Sequence, residues 1–317
     1  LDNQVSTGSQ RELEEEEEIN HLEDQNISIY EYYGLILLMC NQITAKWVAY
    51  LPAYANPGNE PFTSLEKDLG LTSTEYGLLS GVTFALISGV FAIFSGILVD
   101  RFSRKWTLIF GGILWGGLTI AQSFAVDFIS ILIPRIIMEI AVTSCDAAAL
   151  SLISDYFVEK YRGRASSFYM LGLYIGVAGS SLAIISVNQI GWRNTYRGIG
   201  ALSLVITFFT LFIKEPVRGI FNNAAKRKEM KKLSRSTSKC QRILNDAGTV
   251  VKNRIFLVLC IGSSLRFFGG YAVGFWGAKF FQKEFPDHQT EFSILNALTI
   301  LILGVGASAT GGYLSDI

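Results

Sequence analysis

Apolar residues in this chain come in runs long enough to cross a bilayer. A spanning helix needs about 20 mostly apolar residues, and stretches that meet this rule lie at about 33–55, 76–99, 106–126, 129–152, 166–188, 197–213, 254–276 and 293–314. The pattern predicts an all-α polytopic membrane protein. Six spans within 29–213 are expected to form one bundle, and the two within 254–317 to begin a second. Residues 1–28 are polar, acidic and without apolar periodicity, which predicts a disordered tail. Residues 214–253 are polar and basic and read as a linker between the bundles.

Composition supports a bilayer setting, since half of the residues are hydrophobic and only 17% are charged. The net charge is zero, but the signs are segregated. Positively charged loops stay on the cytoplasmic side, and one set of connections carries eighteen Lys and Arg residues: Arg101, Arg104, Lys105, Lys160, Arg162, Arg164 and twelve more from Lys214 to Arg254. The opposite set carries five, Lys67, Arg193, Arg197, Lys279 and Lys283. This asymmetry predicts a cytoplasmic N-terminus and a cytoplasmic 214–253 linker. The linker reads as an orientation signal that also meets anionic membrane lipid. Its alternative is a regulatory segment, because Ser234, Ser236, Thr237 and Ser238 sit among basic residues where phosphorylation would reverse the local charge. Cys40, Cys145, Cys240 and Cys260 are isolated and fit buried, inert thiols rather than a disulfide framework or a metal site.

Ten residues between two of the apolar runs carry the most specific signal. Gly96, Asp100, Arg101, Arg104 and Lys105 follow the signature of the major facilitator superfamily, with Ser103 where its second glycine usually stands. The first half of the motif returns as Gly312 to Asp316. Arg135, the block Glu159 to Ala165 and the triplet Gly191-Trp192-Arg193 resemble further parts of that family, and Gly172, Gly176 and Gly179 supply a small-residue face for close helix packing. Asn41, Leu51-Pro52 and Ser151 to Phe157 resemble Spinster-like transporters and their organic-anion relatives. The resemblance implies the major facilitator fold, with one complete six-helix bundle and the first two helices of the second, and the family's last four helices expected beyond Ile317. It also implies close approach of a neighbouring helix at Gly96, and a gate that unites Asp100, Arg101, Arg104 and Lys105 with Asp155, Arg162 and Arg164, and Gly312 with Asp316. Spinster-like relatives carry Asp-Arg where this chain has Thr44 and Ala45. Their proton-sensing carboxylate is therefore not carried over.

Ionisable groups inside spanning segments are costly and usually face a cavity or a partner. The span 129–152 carries Arg135, Glu139 and Asp146 at spacings that put them near one face, where the first two can pair. That pair reads equally well as a structural salt bridge or as a gating or coupling element. Lys46 and Arg266 lie near the middle of spans that, in this family, line a central cavity. Counting Lys46, Arg135 and Arg266 against Glu139 and Asp146 leaves one net positive charge, which favours a carboxylate or phosphate on the solute. Trp47, Tyr50 and Tyr54 with Phe267, Phe268, Tyr271, Phe275 and Trp276 offer the same cavity apolar walls.

The expected function is a secondary active or facilitative transporter of a small organic solute, anionic or amphipathic, working by alternating access. A coupling proton or ion is a possible partner, and no cofactor, metal or nucleic acid is expected. No phosphate-binding loop of the Gly-x4-Gly-Lys-Ser/Thr kind is present, which argues against ATP-driven pumping and against an enzyme. The alternative is a non-transporting sensor or truncated subunit that keeps the fold.

Overall fold

The computed structural model describes residues 29–55, 64–216, 218 and 252–315. The acidic tail, most of the basic linker with its Ser/Thr cluster, and Asp316 lie outside the described residues. Among the described residues the fold is helical: α1 (Ile29–Tyr54), the short α2 (Leu65–Asp68) and α3 (Ser73–Gly77), a π-helical turn (Leu78–Val82), α4 (Thr83–Arg101), α5 (Arg104–Gln122), α6 (Phe128–Tyr156), α7 (Glu159–Thr210), α8 (Arg254–Glu284) and α9 (Gln289–Ser315). Six helical stretches among them are long and apolar enough to cross a membrane.

The chain divides into two compact units. One holds 1–28 and Pro216 to Gly270; its described part is chiefly the first portion of α8, whose start is capped by the Asn253 side chain accepting from the backbone N–H of Ile255 and Phe256. The other holds Ile29 to Glu215 and Tyr271 to Ile317.

Sequence chemistry sets the helix limits in this second unit. Thr72 and Glu75 form a capping box that starts α3, and Asp127 and Ser130 form another that starts α6. Ser103 caps α5 by accepting from the Trp106 N–H. The spans expected at 166–188 and 197–213 form one helical run, α7, bent at Gly191, where φ of 82° requires a residue without Cβ. Just beyond the bend, Trp192 and Arg193 both bond Asp68, and Arg193 also donates to the Ser123 and Ala125 carbonyls at the end of α5. The bend is thereby stitched to two other elements.

Small residues let the long helices approach closely, as packing without a hydrophobic driving force requires. A Cβ on Gly172 would lie 2.8 Å from the Met39 carbonyl oxygen, and one on Gly176 2.5 Å from that of Ile43 and 2.9 Å from Lys46 Cβ. The glycine face of α7 thus seats directly on α1. Gly116 and Gly200 bring α5 and α7 together in the same way. Gly96 does not follow the expectation: a Cβ there would meet nothing within 4 Å among the described residues. Against α9, α7 presents Ser181, whose hydroxyl donates to the Ser293 carbonyl while the Ser293 hydroxyl donates to the Ser181 carbonyl, at 3.1 and 2.7 Å. Cys260 is exposed, which corrects the expectation that it is buried; Cys145 is buried as expected.

Gly176→Val is expected to lower the thermal unfolding midpoint by several degrees, about 2 kcal/mol of overpacking. Gly198→Ala, where the added carbon meets nothing within 4 Å, should not lower the midpoint and should raise it slightly through helix propensity. Thermal unfolding monitored by tryptophan fluorescence in detergent checks both.

Candidate solute site and gate

Two buried ion pairs meet in the middle of the second unit. Lys46 on α1 donates to Asp146 on α6 at 2.8 Å, and the lysine is 7% exposed. An isolated ammonium at such a position would be expelled or neutralised; the carboxylate lets it stay charged. The Tyr169 hydroxyl on α7 lies 2.9 Å from both Asp146 Oδ1 and Gln42 Oε1, and its single proton can serve one at a time. Asp146 is therefore held by α1 and α7 together.

The second pair is Arg135 with Glu139, one turn apart on α6, at 3.8 Å and with both side chains fully buried. The guanidinium also donates to the Val48 carbonyl at 3.0 Å and to the Ala49 carbonyl. Pro52 explains why Arg135 reaches there. Proline has no N–H to give the carbonyl four residues earlier, and that carbonyl belongs to Val48. Arg135 takes the place of the missing donor. Neither carboxylate oxygen of Glu139 has a hydrogen-bond partner among the described residues, so Arg135 charge rather than hydrogen bonding supports it.

The expected grouping on α6 is therefore divided: Arg135 and Glu139 pair with each other, and Asp146 turns to Lys46. Arg266 lies on the part of α8 that belongs to the other unit, beside the Phe267 ring at 5.8 Å. Among the four charges that the second unit brings together, positive and negative cancel. The expected surplus of one positive charge is not present in that group. The aromatic residues of α1 and α8 meet directly, with Tyr50 stacked on Phe275 at 4.9 Å and Tyr271 following at 6.0 Å.

The motif residues gather at the opposite end of α5 from Ser123. Arg104, 1% exposed, donates through Nη1 to the Ser151 carbonyl at 3.1 Å and to Asp155, joining α5 to the end of α6. Glu215, which the sequence analysis passed over, completes the cluster. It accepts from the Ser103 hydroxyl, from the Arg104 backbone N–H at 2.9 Å and from Arg104 Nε at 3.4 Å. A carboxylate at the N-terminus of α5 also complements the helix dipole. Its sequence signal is an acidic residue between the 197–213 apolar run and Pro216, matching the Ser-Arg start of α5. Asp100 and Arg101 are exposed, and Lys105 is half-buried. The expected meeting of Asp155 with Arg104 is present; Arg162 donates to the Ser154 carbonyl at 3.0 Å, and Arg164 lies over the Tyr161 and Tyr313 rings. Gly312 is in α9.

Burial works against ionisation of Glu215, but the hydrogen bonds from Ser103 and Arg104, with the Arg104 charge, outweigh it and hold the carboxyl below its usual range. A depressed folded-state value stabilises fully above the unfolded value, about 4.3, and that stability is lost as pH falls through the folded value. Glu215→Gln should therefore lower the unfolding midpoint at neutral pH, and the parent and variant curves should converge in acid; thermal unfolding from pH 3 to 7 reads this. For the Val48 carbonyl that Pro52 leaves without a helical donor, Arg135→Lys is expected to cost about 2 kcal/mol by leaving a buried acceptor open. In a Pro52→Ala background, where the helix regains its own donor, the cost should fall by about 1 kcal/mol. A double-mutant cycle of unfolding free energies measures the difference.

Residues 43–317 match the family model of the Major Facilitator Superfamily. The chain is 29% identical to Protein spinster of Drosophila melanogaster over 223 residues, 69% of this chain and 34% of that protein. It is 29% identical to the probable L-galactonate transporter of Escherichia coli over 144 residues, 45% of this chain and 32% of that one. The fold is similar, at a TM-score of 0.69 and 20% identity, to the crystal structure of a bacterial homolog of the human lysosomal transporter Spinster in an inward-facing, unoccupied conformation, covering 89% of this chain and 62% of that chain. The chain thus spans between about a third and three fifths of the relatives it matches. With the match covering most of its length and the helices above of membrane-spanning length, the chain belongs to the major facilitator superfamily, a family of integral membrane transporters.

Proposed function

We propose that this chain carries the solute site of a secondary active or facilitative transporter for a small organic anion or amphipathic anion, moved by alternating access. The Lys46–Asp146 pair is the observation that carries the reading. Lys46 is a buried cation whose counter-ion comes from another helix and is itself one third exposed. A carboxylate on the solute can replace Asp146 at the ammonium without leaving a bare buried charge, so the exchange costs little. Tyr50, Tyr271 and Phe275 supply apolar contact beside it. The similarity to a protein named as a probable L-galactonate transporter supports a carboxylate solute. Arg135 and Glu139 form the support that keeps α1 and α6 in register.

The Arg104, Asp155 and Glu215 cluster forms the inner gate, on the cytoplasmic face together with the N-terminus and the 214–253 linker. Residues 29–213 act as one six-helix bundle and α8 with α9 begin the second. Alternating access needs two states that differ in a few competing pairs, and such a compact ion-pair cluster supplies them. A coupling proton or ion acts at Glu139 or Asp146.

The test is uptake of labelled L-galactonate and of neutral galactose into proteoliposomes. Replacing Lys46 with Gln should lower the anion's uptake about tenfold more than the neutral sugar's, the effect of losing one charge-assisted contact. Equal loss for both solutes would remove the anion reading.

A further inference from the structure

At the end of the second unit away from Arg104, the helices are held together by a cluster that includes Trp276, expected above as a cavity wall, and Lys279, Glu66 and Tyr76, to which nothing above assigns a role. Lys279 on α8 donates to both carboxylate oxygens of Glu66 on α2, at 2.9 and 2.8 Å. The same ammonium lies 4.4 Å from the centre of the Tyr76 ring and 5.6 Å from that of Trp276. The two rings meet edge to face at 5.9 Å. Tyr76 is fully buried and its hydroxyl donates to the Pro52 carbonyl at 3.3 Å, so the aromatic half of this cage is tied to the end of α1. Trp276 can lie where it does because residue 77 is glycine: a Cβ there would come within 3.2 Å of the indole. One lysine of α8 thus bridges α2, α3 and, through Tyr76, α1.

The position of this contact gives it meaning. Along α1, Lys46 is followed one turn later by Tyr50 and another turn later by Tyr54. Tyr50 stacks on Phe275, and Ala53, Tyr54, Phe275 and Ala278 form a buried apolar cluster between the Lys46–Asp146 pair and the Lys279–Glu66 pair. Outside Glu66, an open vestibule of about 430 Å³ is lined by Ser64, Glu66, Lys67, Gly70, Leu71 and Gln282. From that side the order is vestibule, ion pair in its aromatic cage, apolar plug and solute site.

We infer that Lys279, Glu66, Tyr76 and Trp276 form the outer latch of this protein, a charge-and-aromatic lock that closes the solute site on the face away from the Arg104 cluster and must release for that face to open. The inference rests on the alternating-access reading for its meaning but not for its measurement. The chemistry suits a latch. A half-buried ion pair and cation–π contacts of this kind each contribute modestly and depend on geometry, so a small separation of α8 from α2 and α3 loses all of them together. Such a contact is strong enough to bias two states and weak enough to open.

Ala53→Cys, in the plug, reports opening, with Ala278→Cys as a second reporter if the first does not insert. A membrane-impermeant maleimide is added to each side in turn, and labelling at that position is read by peptide mass spectrometry. Glu66→Gln and Lys279→Gln should each raise labelling from the vestibule side about tenfold, and Lys279→Arg, which keeps both the charge and the ring contacts, should stay within about threefold of the parent. Unchanged labelling in both Gln variants, or an equal rise from both sides, would overturn the latch. No solute is needed for this measurement. If labelling behaves as expected while L-galactonate uptake is absent, the latch stands and the anion reading falls; unchanged labelling with normal uptake removes the latch alone.

Discussion

The centre of this protein depends on a carbonyl oxygen that has lost its helical donor. In an apolar interior every backbone polar group must be satisfied from within the protein, and Pro52 leaves the Val48 carbonyl open. The guanidinium of Arg135 answers that need from α6. Once a full charge is committed there, a counter-charge must follow it, and Glu139 lies one turn along the same helix. The residues that look most like chemistry in the sequence are thus first of all an answer to a proline. Their arrangement fixes where α1 and α6 stand, and with it where Lys46 and Asp146 can meet.

The two ion pairs differ in what they allow. Arg135 and Glu139 share one helix and are sealed, so their separation cannot change when helices move. Lys46 and Asp146 come from different helices, and the carboxylate is partly exposed. Motion of α1 against α6 would part the second pair and pull Arg135 from the α1 carbonyls, but it leaves the Arg135–Glu139 separation within α6 unchanged. A rigid buried pair beside a labile one gives a site that keeps its shape while its charges rearrange.

Much of the fold was legible in the sequence because membrane helices declare themselves by length and hydropathy. The stripe Gly172, Gly176 and Gly179 was legible too, since only a close neighbour justifies three such gaps on one face, and α1 occupies them. Pairing between helices was not. Periodicity shows which residues share a face of α6 but not which helix presents itself to that face, so the Lys46–Asp146 contact across one hundred positions left no local trace. Glu215 was missed because it lies just past the 197–213 apolar run, where hydropathy carries no information, and only the N-terminus of α5 gives it a purpose. The Arg104–Asp155 contact is different, because the family motif itself puts these two residues side by side.

The paired serines between α7 and α9 add a mechanical consequence. Each hydroxyl bonds the other residue's carbonyl, so Ser181 and Ser293 form a small closed ring of contacts with both residues fully buried. Sliding one helix along the other by a single residue would break both bonds and strand their polar groups in an apolar seam. Tilting about the same point stretches neither bond much. The joint between these helices therefore resists sliding of α9 along α7, and the Ser308 hydroxyl, donating to the Ser167 carbonyl at 3.2 Å, ties the same two helices a second time.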